Sequence, residues 1–262
     1  MMNLTTVFFG LANMQINIDT LPVSGRVIAA DIDVKGNVYV VDSSYRLCKI
    51  NQQNAIFCNS VAQFGEGVLL DADNPVEPML FFQNSGILLV TDNNLNTTAT
   101  VTLLSHNNIK PGGFGRANDG MIWIFDDNSS TLKKMDRSGT VVQESLVLCA
   151  KGIKNRKAQP IFDNGKLVVL KTPQNTTLVL NMNLNILAEL PEKEGVCVDV
   201  ASDRLILSNA GETWLTEPFG NTGIRMPSAR KKTGGVPRGH LLALRGNYQL
   251  TETPTGLILR NR

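Results

Sequence analysis

Gly115 to Glu144, GRANDGMIWIFDDNSSTLKKMDRSGTVVQE, is the stretch that decides the fold. It reads as three strands, residues 121–126, 131–135 and 140–143, separated by two turns. Asp119-Gly120 suits a turn that needs positive φ, and Arg137-Ser138-Gly139 suits another. Between them, Met121-Ile122-Trp123-Ile124-Phe125 is an unbroken apolar run of the kind that fills a strand covered on both faces. One such unit cannot cover both faces of its own strands, so neighbouring units must do it.

The same grammar recurs on both sides. Residues 15–21 alternate apolar and polar as a half-buried strand does. Residues 27–34 lead through Lys35-Gly36-Asn37 to 38–42, 46–50 and 55–60. Residues 78–82 lead through Asn84-Ser85-Gly86 to 87–92 and 99–104. Beyond the opening stretch, residues 160–162 precede Asp163-Asn164-Gly165, followed by 166–170, 177–181 and 186–190. A fifth copy takes 196–200, 204–208, 212–216 and 223–226, and a last, shorter one takes 240–245, 248–251 and 257–260. The punctuating Gly36, Gly86, Gly120, Gly165 and Asp203 fall 50, 34, 45 and 38 residues apart. Spacing near 40 with four strands per repeat is the period of propeller blades. The last copy has three strands, and the isolated strand at 15–21 can supply its fourth. The expectation is an all-β protein: a β-propeller of six blades of about 40 residues, within a range of five to seven. An N-terminal strand pairing with the C-terminal blade would close the ring and remove an open edge. Residues 15–262 then form a single domain.

Composition narrows the functional classes. The 262-residue chain is 42% hydrophobic and 18% charged, which is globular, and its net charge of +2 gives no bulk attraction to nucleic acid. No apolar run reaches the ~20 residues of a transmembrane helix. Residues 4–12, LTTVFFGLA, resemble the apolar part of an export signal, but no Lys or Arg precedes Arg26. Residues 1–14 are accordingly read as the remnant of a signal peptide, with the mature protein periplasmic. Of four cysteines, Cys48 and Cys58 sit symmetrically about Gln53 on the two arms of a hairpin. A three-residue turn would set them opposite one another as a candidate disulfide, and a two-residue turn would put Phe57 across from Cys48. Four small buried hydrophobes are the alternative. There is no CxxC spacing for zinc.

Catalytic motifs are scarce. His106 and His240 are the only histidines, and neither lies in a metal-binding or triad context. Gly112-Gly113-Phe114-Gly115 lacks the Lys-Ser/Thr of a phosphate loop and reads as a tight connection between blades. Acidic residues gather at strand ends, among them Asp31, Asp33, Asp42, Asp71, Asp92, Asp126 and Asp199. Converging on a channel, such groups could hold Ca²⁺; as isolated residues after apolar strands they cap turns. Trp214 is the better candidate of the two tryptophans for stacking on a sugar, because Trp123 sits inside an apolar strand. One segment breaks the repeat: residues 225–240, RMPSARKKTGGVPRGH, have five Lys or Arg and no acid. Arg225, Arg230, Lys231, Lys232 and Arg238 are the candidate partner-binding residues, in a loop long enough to be functional.

Asn74-Pro75, Leu80-Phe81-Phe82 and Ile87-Leu88-Leu89-Val90-Thr91-Asp92-Asn93 resemble a small propeller family of Bacteroidota, as do Ile122 to Asp126 and Leu132 to Asp136. The resemblance covers residues 64–148 and is to the family that contains the plug subunit of the type 9 secretion translocon. It implies an exported protein at the periplasmic end of an outer-membrane secretion barrel, with no catalytic residues to carry over. The incomplete signal at the N-terminus is the departure. The expected function is a non-catalytic envelope scaffold that binds a protein partner and needs no cofactor. The alternatives are a calcium-dependent six-bladed hydrolase or lactonase, and a glycan-binding propeller.

Overall fold

The structure is a computed structural model that describes residues 15–18, 26–53, 55–104, 108–149, 157–190, 196–201, 204–209, 212–216, 231–232, 240–245, 248–253 and 256–261. Nearly all of it is strand and turn, with a single-turn 3-10 segment at Ala62–Phe64. Strand β1 (Gln15–Ile18) stands first. A first antiparallel meander follows, of β2 (Val27–Ile32), β3 (Val38–Asp42), β4 (Arg46–Ile50) and β5 (Ile56–Ser60). The second is β6 (Val68–Asp71), β7 (Met79–Phe82), β8 (Ile87–Thr91) and β9 (Thr97–Thr102). The third is β10 (Pro111–Arg116), β11 (Ile122–Asp126), β12 (Thr131–Met135) and β13 (Val141–Glu144). The fourth is β14 (Gln159–Asp163), β15 (Leu167–Lys171), β16 (Thr177–Asn181) and β17 (Ile186–Leu190). The fifth is β18 (Val196–Ala201), β19 (Arg204–Asn209), β20 (Glu212–Thr216) and β21 (Lys231–Lys232). The last is β22 (His240–Arg245), β23 (Tyr248–Thr253) and β24 (Gly256–Asn261), to which β1 adds antiparallel, Ile16 against Leu259.

The first strand of each meander lies against the first strand of the next. β2 touches β6, β6 touches β10, β10 touches β14, β14 touches β18, β18 touches β22, and β22 returns to β2. Between β10 and β14 the approach is close enough for parallel backbone pairing, which fuses the third and fourth meanders into one eight-stranded sheet.

The alternation of side chains along a strand explains why the central runs are apolar without a break. From β3, Tyr39 and Val41 pack with Leu80, Phe82 and Leu89 of the second meander. Val38 and Val40 point the other way, into Leu250, Leu257 and Leu259 of the last one. β11 divides likewise. Ile122 and Ile124 join Met79, Phe81 and Val90, whereas Trp123 and Phe125 join Ile161, Val168, Leu178 and Leu180. Every middle strand so described is sandwiched, and the fully buried Trp123 is core.

The hairpins share one device. Asp33, Asp42, Asn51, Asp92, Asp136 and Asn181 each accept hydrogen bonds from the backbone N–H groups two and four residues on. Among the strand-end acids, this Asx geometry makes turn caps of Asp33, Asp42 and Asp92. The device leaves the residue three after the Asx in left-handed backbone: Gly36 at φ 80°, Gly139 at 88°, but also Leu95 at 65° and Leu184 at 63°. For a leucine that conformation costs about 1–2 kcal/mol. Both leucines are buried in the cores between meanders, which offsets the cost.

Cys48 and Cys58 are directly opposite in the β4–β5 register and form a disulfide. The Asn51 N–H bonds the Ala55 carbonyl, which leaves the three-residue turn that this pairing needs. Three sequence-based assignments are corrected. Gly112 to Gly115 are not a connection but lie within β10, because the glycines let β14 come close. Residues 68–71, unassigned by the apolar repeat, form β6. Lys231 and Lys232, expected within a loop, form β21 and pair with Leu215 and Trp214.

Candidate functional site

Where the inner strands end, a cavity of about 600 Å³ opens. Its wall is apolar, from Leu69 on β6, Phe114 on β10, Pro160, Ile161 and Phe162 on β14, and Val200 on β18. Its rim is polar: Asp71, Asp73, Asn74, Arg116, Asn118, Asp163 and Asn164. The rim residues arrive there because they end the inner strands or open the turns that follow them.

The rim's charges are engaged with the protein itself. Asp71 Oδ2 accepts the backbone N–H of Arg116 at 2.8 Å, reaching from the second meander to the third. Asp163 Oδ2 accepts the Trp123 indole N–H at 2.7 Å and the Asn118 N–H at 3.1 Å, and its Oδ1 accepts the Gly165 N–H at 2.7 Å. The Arg116 guanidinium donates to Glu77 through Nη1 at 3.1 Å, and through Nη2 to the Glu77 backbone carbonyl. Arg137 holds the same carboxylate, with Nη1 2.7 Å from Oε1 and Nη2 2.7 Å from Oε2. Glu77 is thus clamped between two arginines. Buried Nε of Arg116 has no hydrogen-bond partner among the described residues. Asp119, next to the rim, feels burial, which would raise its carboxyl. Hydrogen bonds from Lys134 Nζ at 2.5 Å and from the Met121 N–H outweigh that and hold it below the usual carboxylate range. Lys134 also lies 5.1 Å over the Trp123 ring.

A second, symmetric piece of the same construction sits one joint earlier. Asp31 Oδ2 accepts the Ala72 N–H at 2.8 Å, from the first meander to the second, while Oδ1 caps Ile32 N. Nearby, the Tyr39 hydroxyl donates to Asp33 at 3.2 Å, and burial first, then the Asp33 charge, pushes the phenol well above its ordinary range. Such a tyrosine stays protonated and is a donor, not a base.

Among the described residues, no three His, Cys, Asp or Glu side chains converge as a metal ion would need. Arg225, Arg230, Arg238 and His106 lie outside the described residues. Lys231 and Lys232 belong to the outermost strand of the fifth meander, whereas its contribution to the cavity, Val200, is on the innermost. The basic pair and the cavity are therefore not brought together. Trp214 pairs with Lys232 and Leu207 in the middle of the same sheet. Arg116, Glu77 and Arg137 escaped the sequence reading, since they are 39 and 60 positions apart and share no local pattern.

No helix among the described residues is long and apolar enough to cross a membrane. No protein-family model matches the chain, and a comparison with curated proteins finds no match. Solved structures do resemble it. The virginiamycin B lyase of Staphylococcus aureus, in a catalytically inactive H270A form with quinupristin, superposes with a TM-score of 0.59 at 14% identity, over 95% of this chain and 87% of that one. A streptogramin B lyase superposes at 0.58 and 14% identity, over 95% and 86%. BamB from Moraxella catarrhalis superposes at 0.50 and 13% identity, over 90% and 85%. At these identities the likeness speaks to architecture alone, and it makes this chain similar in fold to β-propeller proteins.

Proposed function

We propose that this protein is a non-catalytic β-propeller scaffold of the cell envelope that binds a protein partner, acting as a plug at the periplasmic end of an outer-membrane secretion channel. In this reading the meanders are six blades, supported by the unbroken circuit of inner-strand contacts and by the addition of β1 to β24. The fold likeness extends to lyases and to BamB alike, so the fold leaves the chemistry to the site. The observation that carries the scaffold reading is the commitment of the rim. Asp71, Asp163 and Glu77 each bind donors from elsewhere in the chain, and these bonds hold neighbouring meanders together. Groups so engaged stabilise a rigid disc. The basic residues Arg225, Arg230, Lys231, Lys232 and Arg238 are then the partner-facing set, and the residues matched by the type 9 plug resemblance fall in the second and third blades. Charge reversal of those five, followed by affinity purification from native envelopes, should abolish recovery of a large partner. Recovery equal to the parent protein would contradict the reading.

One observation favours a second reading. A cavity of about 600 Å³ lies within the ~300–1,000 Å³ of small-molecule sites, and an apolar wall with a polar rim is their usual make-up. In an enzyme of this kind, calcium-dependent or lyase-like, the cavity would hold the substrate. A melting temperature raised by added calcium, or lowered by its chelation, would favour this alternative.

A further inference from the structure

The outer strands of the meanders differ in how their free edges are protected. Edges are commonly guarded by charge, proline or a bulge that twists the strand away. β9, β13 and β17 each meet their inner neighbour through a register shift, at Val90/Thr91, Lys134/Met135 and Val179/Leu180. β13 and β17 also carry Glu144 and Glu189. β5 has none of these guards. It pairs with β4 one to one from Arg46↔Ser60 to Ile50↔Ile56 without a shift. All five of its residues are exposed, Phe57 at 52% and Ile56 at 38%. From Ile50 to Gly65 the chain has no charged residue and no proline.

The edge is also held in place. The Cys48–Cys58 disulfide ties the centre of β5 to the buried strand β4, so the edge cannot fray. Its Cα–Cα separation of 4.1 Å marks Cys48 and Cys58 as a non-hydrogen-bonded pair of the ladder. The backbone N–H and C=O groups of Ile56, Cys58 and Ser60 therefore point away from β4, toward the side on which no strand pairs among the described residues.

We propose that β5 is a strand-addition surface on which a second copy of this chain pairs antiparallel through its own β5. The occupant is a second copy because the edge is complementary to itself. With no charge in sixteen successive residues, two identical edges meet without repulsion, and a two-fold contact needs the same patch on both sides. Centred on Phe57, the pairing sets Phe57 across from the Phe57 of the second copy. It sets the outward-facing backbone of Ile56 against that of the second copy's Cys58, so that the two exchange hydrogen bonds. Aromatic pairs directly opposite are among the favourable cross-strand contacts. A contact of one short strand is small beside a standard interface, so the dimer is weak and reversible.

Sedimentation velocity on the full chain, across about a hundredfold range of loading concentration, reads the association directly; a tenfold change in dissociation constant is resolvable on that scale. The parent chain should pass from monomer to dimer. Phe57→Lys should move that transition at least tenfold higher while leaving the melting curve in place, because Phe57 is exposed. Val142→Lys, at an exposed apolar position on β13, should leave the association unchanged. A parent chain that stays monomeric throughout overturns the proposal, including the case in which the edge takes up an extended segment of another protein. So does a dimer that survives Phe57→Lys, or one that Val142→Lys dissolves equally.

Discussion

The joints between meanders are made in two ways. At the first and second joints a carboxylate at the end of an inner strand reaches across. Asp31 takes the Ala72 N–H and Asp71 takes the Arg116 N–H. Both acids occupy the same place in their own meanders, opposite Tyr39 and Met79 of the next strand. In the third meander that place, opposite Trp123, belongs to Gly115. There the backbones meet directly: Gly113 pairs with Gln159 and Phe114 with Pro160 in parallel. The problem is common to all, since inner-strand backbone groups facing a neighbour must find partners. A side chain spans the gap where the strands stand apart, and its deletion closes the gap where they touch. The direction of the latch reverses too. At the glycine joint the carboxylate comes from the following meander, as Asp163 holds Trp123 and Asn118.

Gly115→Ala should break the contrast most severely. A Cβ there would lie 1.9 Å from the Ile161 carbonyl oxygen, which is backbone and cannot rotate away. The expected loss in urea denaturation is at least the ~3 kcal/mol upper end of ordinary overpacking. Gly112→Ala meets only the Asp127 carboxylate, a side chain able to swing aside, and should cost visibly less. Next come Asp71→Ala and Asp31→Ala, each leaving a backbone N–H of the next meander without its acceptor, partly buried at Arg116 and buried at Ala72, at about 1–3 kcal/mol apiece. The corresponding Asn variants keep an acceptor oxygen and should recover part of that. If the Ala variants prove neutral in chemical denaturation, the latches are incidental. Trp123→Phe keeps most of the ring volume but removes a donor to Asp163, and should lose about 1.5–3 kcal/mol, the range for hydrogen bonds to charged groups. Gly120 has φ 81° with nothing within 4 Å of a built Cβ. Gly120→Ala should therefore cost only the left-handed penalty of about 1 kcal/mol, a baseline for strain without clash.

The smallest effect is a control away from the joints. Hydrogen bonds from Lys133 and then Thr131 hold the Glu144 carboxyl below its ordinary range. A depressed carboxyl contributes stability that is present above its unfolded value near pH ~4.3 and is lost as pH falls through the folded value. Glu144→Gln should flatten the acid limb of a stability–pH curve slightly. The group is largely exposed, so solvent screening keeps the change small. Gly115→Ala, which removes no ionisable group, should shift the whole curve instead.

What could be read from the residues follows the same division. Middle strands such as 38–42 and 122–126 were legible because a strand sandwiched on both faces must be apolar throughout. The hairpin turns were legible because Asx chemistry is local. Inner strands were harder. PGGFGR has the composition of a loop, since proline and glycine weaken strands, and only the approach of β14 explains it. Cys48 and Cys58 could be matched through a turn length, but the Arg116–Glu77–Arg137 clamp could not. It joins the second and third meanders through residues 39 and 60 positions apart, and no periodicity carries information across that distance. The outer strand described for the fifth meander is Lys231–Lys232, and two residues are too few for a pattern to declare itself; residues 223–226, where the repeat places a strand, lie outside the described residues.

The pairing of Ile16 with Leu259 has a consequence for the order of events in folding. β1 finds its neighbour β24 only across nearly the whole of the described chain. Closing a loop of that length costs about 5 kcal/mol of chain entropy if nothing has folded in between. Successive meanders shorten the loop as they form, so the closing pair should be the last contact made. It should also be the first lost on unfolding, which places β1 and β24 at the start of the path by which the molecule comes apart.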